Sequence, residues 1–92
     1  MTTSFKQDLI GALKNFPIKR ASLFGSFARG DEGPDSDIDV LIDFDSPLSL
    51  FDLIRMEQTL SQKLSRKVDI VEFSAIKPSI KDRILSQAIP LI

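Results

Sequence analysis

The chain has 92 residues, a net charge of −1, and 27% charged against 42% apolar residues, which bounds it to one small globular domain with a modest core. It contains no cysteine, histidine, tryptophan or tyrosine, which excludes disulfide scaffolds, thiol chemistry, Cys/His zinc sites, a histidine general base and a Ser-His-Asp triad. The near-neutral charge argues against direct nucleic-acid binding, and no apolar run approaches the roughly 20 residues of a membrane span.

Residues 4–16 carry Phe5, Leu9, Ala12, Leu13 and Phe16 at helical period, with Ser4 and Gln7 spaced as a capping box and Pro17 as the stop. Residues 18–24 read as a strand that Gly25 breaks; Gly30 and Gly33-Pro34 mark a loop. Residues 37–44 alternate: Ile38, Val40, Ile42 and Phe44 share one face and Asp37, Asp39 and Asp43 the other, with Leu41 as the exception. A long helix follows, started at Ser46-Pro47 or at Ser49 with Asp52, its apolar stripe Leu50, Leu53, Met56, Leu60 and Leu64. Residues 67–72 form a short strand, and Ser79 with Asp82 caps a last helix to about Ala88 that carries Ile80, Ile84 and Leu85. The fold class is α/β (α+β), a small mixed sheet of about three strands with flanking helices, in one domain spanning residues 1–92. With no signal-peptide core at the N-terminus, the expected location is cytoplasmic.

Charge is segregated along the chain. Asp31, Glu32, Asp35, Asp37, Asp39, Asp43 and Asp45 follow one another with no base between them, whereas residues 63–83 carry six bases and three acids. All but the last of these acids lie in GSFARGDEGPDSDIDVLIDF, residues 25–44. A Walker-type phosphate loop is excluded, because Asp31 follows Gly30 where that motif needs lysine. An EF-hand loop is excluded by Val40 and Ser46 at the positions that need glycine and glutamate. Asp37 and Asp39 are two apart on a strand, so they share a face with Cα atoms about 6–7 Å apart. At that spacing two carboxylates repel by about 2–3 kcal/mol at an effective dielectric of 20, unless both face water or a divalent cation joins them. Gly25 lets backbone amides approach a phosphate, Ser26 can donate to its oxygens, and Arg29 can neutralise developing charge. A Gly-Ser turn or an Asp-x-Asp pair alone is commonplace; a glycine turn closing one strand, a ten-residue gap and paired acids opening the next is far more specific.

This pattern, Gly25-Ser26 followed by Asp37-x-Asp39, resembles the signature of the polymerase-beta-type nucleotidyltransferases. The longer form, GSFARG followed by SDIDVLIDF, is similar to the minimal nucleotidyltransferases (MNT proteins) of prokaryotes along nearly the whole chain. The resemblance implies that Asp37 and Asp39 hold magnesium, that a third acid on a later strand joins them, and that ATP rests against Gly25 and Ser26, with Arg29 and Ser36 beside it. Asp69 and Glu72 are the candidates for the third acid and face opposite sides of a regular strand. The family's third acid precedes an apolar pair, as Asp69 does with Ile70 and Val71. Asp43 shares the face of the pair but reads as a solvated acid.

With three acids and two magnesium ions, the implied chemistry is in-line nucleotidyl transfer. Larger superfamily members carry a second domain for the acceptor, and a chain of this length has no room for one, which points to a partner. The resemblance names it as a HEPN-domain ribonuclease toxin, neutralised by transfer of AMP from ATP to a tyrosine. The alternative is an antitoxin that neutralises the partner by contact alone; a third reading is nucleotidyl transfer to a small molecule. Phe44, Phe51 and Phe73 are expected in the core, and Arg55, Lys63, Arg66 and Lys67 on a solvated helix end or a partner-facing patch.

Overall fold

A computed structural model describes residues 3–92. Helix α1 (Thr3–Leu13) leads into strand β1 (Ile18–Phe24), short helix α2 (Gly25–Arg29) and strand β2 (Ile38–Phe44). Helix α3 (Leu50–Leu64), strand β3 (Val68–Glu72), a 3-10 turn (Phe73–Ala75), helix α4 (Pro78–Gln87) and strand β4 (Ile89–Pro90) complete the order. The sheet runs β3-β2-β1-β4. β1 is antiparallel to both β2 and β4, and β2 is parallel to β3. Among the described residues no helix is long and apolar enough to cross a membrane.

Strand alternation sorts the side chains onto two unlike faces. Ala21 and Leu23 of β1, Ile38, Val40 and Ile42 of β2, and Val68 and Ile70 of β3 join Leu9, Ala12 and Leu13 of α1 and Met56 and Leu60 of α3 in the main core. Leu41, the exception to the alternation, is fully buried on the opposite face in a smaller cluster with Phe73 and Ile76. Phe24, Val71, Ile84 and Ala88 pack against that cluster. The second face is therefore apolar at one end, under the 3-10 turn and α4, and acidic at the other.

Several boundaries depart from the sequence pattern. α1 ends at Leu13 rather than at residue 16, and Ser4 lies inside the helix. Phe16 still packs on the core from the turn beyond. Of the two starts for α3, the chain uses Ser49: its Oγ accepts from Asp52 N at 3.1 Å and donates to Asp52 Oδ2 at 2.9 Å. α4 starts at Pro78, whose missing N–H and preset φ suit the first helical position, so Ser79 is not its cap. The sheet has four strands rather than three. β4 is two residues long and contains Pro90, too short to show a period. Leu50 and Phe51 are 69% and 79% exposed, so neither is a core residue. Of the α3 stripe it is Leu53, Met56, Leu60 and Leu64 that reach the core.

Candidate active site

The acids gather where three segments meet on the open end of the second face. Asp39 lies opposite Phe24 in the β1–β2 register and opposite Asp69 in the β2–β3 register. Directly paired residues on neighbouring strands share a face, about 4.8 Å apart across the sheet. Asp39 and Asp69 are therefore side by side, and Asp37 precedes them by one pleat. Glu72 pairs with Ile42 at the far end of β3. Asp43 is also remote and is ion-paired with Arg20 at 3.5 Å.

Gly25 is held in this arrangement by two separate constraints. Its φ is +72°, which residues with a Cβ rarely adopt. A Cβ built on it would also collide with the carboxylate of Asp39, reaching Oδ2 and coming within 3.1 Å of Cγ. The glycine turn and the acid pair are thus in direct contact although 14 positions separate them in sequence. Where the pattern suggests only a turn, residues 25–29 form a short helix closed by Gly30 at φ 77°, whose N–H donates to Ser26 O. Its one buried side chain, Phe27, stacks on Phe5 of α1 at 5.3 Å between ring centroids. Five residues are too few to announce a helix by periodicity, and the tertiary contact of Phe27 supplies the reason for it.

The electrostatics follow from this crowding. The Asp39 carboxyl is held above the usual carboxylate range, first by its partial burial and then by the negative charges of Asp69 and Asp37, with Arg29 and Lys67 opposing. Lys67 Nζ stands 3.8 Å from Asp37 Oδ2 and 3.8 Å from Asp69 Oδ1, so one ammonium is shared by two of the three acids. Arg29 is paired with Asp31 at 3.2 Å on the surface. Ser36 Oγ accepts from Gly33 N at 2.8 Å, folding the loop before β2. Asp69 and Lys67 border an open groove of about 550 Å³ between α3 and the start of β3, which Ile54, Glu57 and Gln58 also line.

Among the described residues no group of three or more aspartate, glutamate, histidine or cysteine side chains is placed to hold a metal ion. Magnesium does not need one: it binds through one or two carboxylates and takes its remaining oxygens from water and substrate phosphate. Asp37, Asp39 and Asp69 offer hard oxygen donors only, on a partly solvated surface where their mutual repulsion favours a cation. The donor chemistry of these acids, rather than a preformed three-ligand geometry, is what suits the ion.

Sequence reasoning missed the roles of four side chains. Lys67 is two positions before Asp69, just ahead of β3, so extending the strand period by one residue could have found it. Glu57 Oε2 accepts from Ile70 N at 2.8 Å and Ser61 Oγ from Val68 N at 2.9 Å, which caps the free edge of β3 from α3. Arg66 reaches back 33 positions to the loop before β2, a distance no local pattern announces.

A family model described as a nucleotidyltransferase domain matches residues 7–91. The chain belongs to that family. A relative of this nucleotidyltransferase from Methanocaldococcus jannaschii is 40% identical over 87 residues, covering 95% of this chain and 94% of the relative. Protein adenylyltransferase MntA of Thermococcus cleftensis is 33% identical over 87 residues, covering 95% of this chain and 85% of MntA. Two of the solved structures that share the fold are of toxin–antitoxin pairs. One is a toxin–antitoxin crystal structure with AMP-PNP, with a TM-score of 0.83 at 22% identity over 95% of this chain and 72% of the other. The second is a complex of tri-AMPylated Shewanella oneidensis HEPN toxin with MNT antitoxin, with a TM-score of 0.77 at 20% identity over 100% of this chain and 72% of the other.

Proposed function

We propose that this nucleotidyltransferase is an antitoxin that transfers AMP from ATP to a hydroxyl, that of a tyrosine, on a partner HEPN ribonuclease toxin in the cytoplasm. The observation that carries the reading is the contact of Gly25 with Asp39, itself registered against Asp69. It joins a glycine-serine turn to neighbouring carboxylates on an open face. The protein adenylyltransferase name of the MntA relative supports the choice of acceptor class. The HEPN complex among the structural neighbours supports the choice of partner.

In this reading the Gly25 turn and the Ser26 hydroxyl hold phosphate oxygens of ATP, and Arg29 and Ser36 flank the triphosphate. Asp37, Asp39 and Asp69 would hold magnesium, two ions in all, which would supply neutralisation of phosphate charge and acidification of the attacking hydroxyl. The acceptor oxygen forms a bond to the α-phosphorus, the bond to the bridging oxygen breaks, and pyrophosphate leaves. The proton of the hydroxyl passes to an oxygen of Asp69, which borders the open groove beside β3. Domain 1–92 carries this site with neither nucleic acid nor membrane as its partner.

The test is AMP transfer to the purified HEPN partner, read as mass adducts with magnesium and ATP. Wild type should add AMP, and Asp37→Asn with Asp39→Asn should add none while still binding the partner. Continued transfer by the double variant would refute the site. Binding without any transfer by wild type would establish contact inhibition in place of catalysis.

A further inference from the structure

α3 closes with Ser65 in the left-handed region at φ 53°. The reversal turns the next side chain, Arg66, across the loop that joins α2 to β2. Its Nη1 donates to two backbone carbonyls of that loop, Gly33 O at 3.0 Å and Ser36 O at 2.8 Å. The loop is itself a closed turn: Ser36 N donates to Gly33 O at 3.2 Å and Gly33 N to Ser36 Oγ at 2.8 Å. Arg66 thus grips both ends of the turn. The Ser36 carbonyl belongs to the peptide unit that contains the Asp37 N–H, so the grip fixes the plane from which Asp37 departs. The same guanidinium carbon lies 5.1 Å from the centroid of the Phe27 ring, one residue beyond Ser26.

One side chain therefore ties together the two halves of the motif: α2 with Ser26, and the loop that delivers Asp37. An arginine suits the task, because one nitrogen of its planar guanidinium can donate to two acceptors while the plane lies against a ring.

We infer that Arg66 is a positioning residue for nucleotidyl transfer, fixing Asp37 relative to the Gly25-Ser26 turn without touching substrate. The inference rests on the transfer reaction proposed above. It replaces the expectation that Arg66 belongs to a solvated or partner-facing patch. A misplacement of catalytic groups by about 1 Å costs on the order of 10²-fold in rate.

The experiment compares wild type with Arg66→Met, Arg66→Lys and Phe27→Leu, well below the melting temperature of each. AMP transfer to the HEPN partner is measured together with hydrogen exchange of the free protein. In Arg66→Met, kcat should fall about 10²-fold with KM for the partner unchanged. Amides of residues 33–37 should exchange faster while those of β1, β2 and α3 keep their protection. Arg66→Lys keeps the charge but not the planar guanidinium that lies over Phe27, and should recover only part of kcat. Phe27→Leu should show a smaller loss of the same kind. Wild-type kcat and loop protection in Arg66→Met would overturn the inference. So would a rise confined to KM for the partner, which marks a docking residue, or faster exchange across the whole sheet, which marks general destabilisation. If wild type transfers nothing, the proposed function fails and the positioning role with it; unchanged variants beside an active wild type defeat the positioning role alone.

Discussion

The two faces of the sheet use the same strands for opposite ends. On the first face Ile38, Val40 and Ile42 are fully buried against α1 and α3, and each adds to stability. On the second face Asp37, Asp39 and Asp69 crowd together, and Asp39 pays for it with a carboxyl pushed up by burial and by its acidic neighbours. At the start of β2, Asp39 thus works against the fold while its neighbours Ile38 and Val40 stabilise it. The comparison teaches that the acidic end is carried by the apolar face beneath it and contributes little stability of its own.

Substitutions can sharpen or break this contrast. The largest effect is expected at Asp39. Asp39→Asn should lower AMP transfer about 10³-fold, as loss of one group that stabilises developing charge does elsewhere. Yet in metal-free buffer at neutral pH it should raise the melting temperature. The sign follows from the raised folded-state pKa: the ionised carboxylate penalises folding at and above that value, and the penalty fades once pH falls below the unfolded carboxylate range. Melting curves at neutral and acidic pH check this, since the gain should vanish in acid; a variant less stable at both would break the contrast.

Leu60→Ala, on the fully buried side of α3, should do the reverse. It should cost about 2–5 kcal/mol in denaturant unfolding while leaving transfer per folded molecule near wild type. Glu57→Ala removes the acceptor for Ile70 N on the edge strand. It should cost about 1–3 kcal/mol and promote self-association through the uncapped edge, read by unfolding and by light scattering. Ser49→Ala, at the far end of α3, should cost about 1 kcal/mol and leave transfer unchanged.

Legibility in the sequence followed the range of the interactions. Period-2 alternation located β2, and the Ser49-Asp52 spacing offered the correct cap, because both depend on residues a few positions apart. Gly25, Ser26, Asp37 and Asp39 stood out through a linear spacing. The register of β3 is non-local, so only the structure places Asp69 beside Asp39 and Glu72 beside Ile42. Helix α2 and strand β4 are too short for a period; each exists through what it packs or pairs with, Phe27 against Phe5 and Ile89 against Leu23. Phe51 misled because hydrophobicity says only that a side chain can be buried; α3 carries this one outside the reach of the core.

By itself the sequence determined which chemistry is available: carboxylates, hydroxyls and cations without histidine or cysteine, set at the spacing of a glycine turn and an acid pair. It also determined most of the elements, since helix and strand periods are local. The tertiary structure alone decided that Gly25 lies against Asp39, that Lys67 spans Asp37 and Asp69, and that Arg66 holds the loop between the two halves of the motif. Apart from Lys67 with Asp69, those contacts join segments 14 to 33 positions apart, and they form only when burial of the apolar face brings the strands and α3 together.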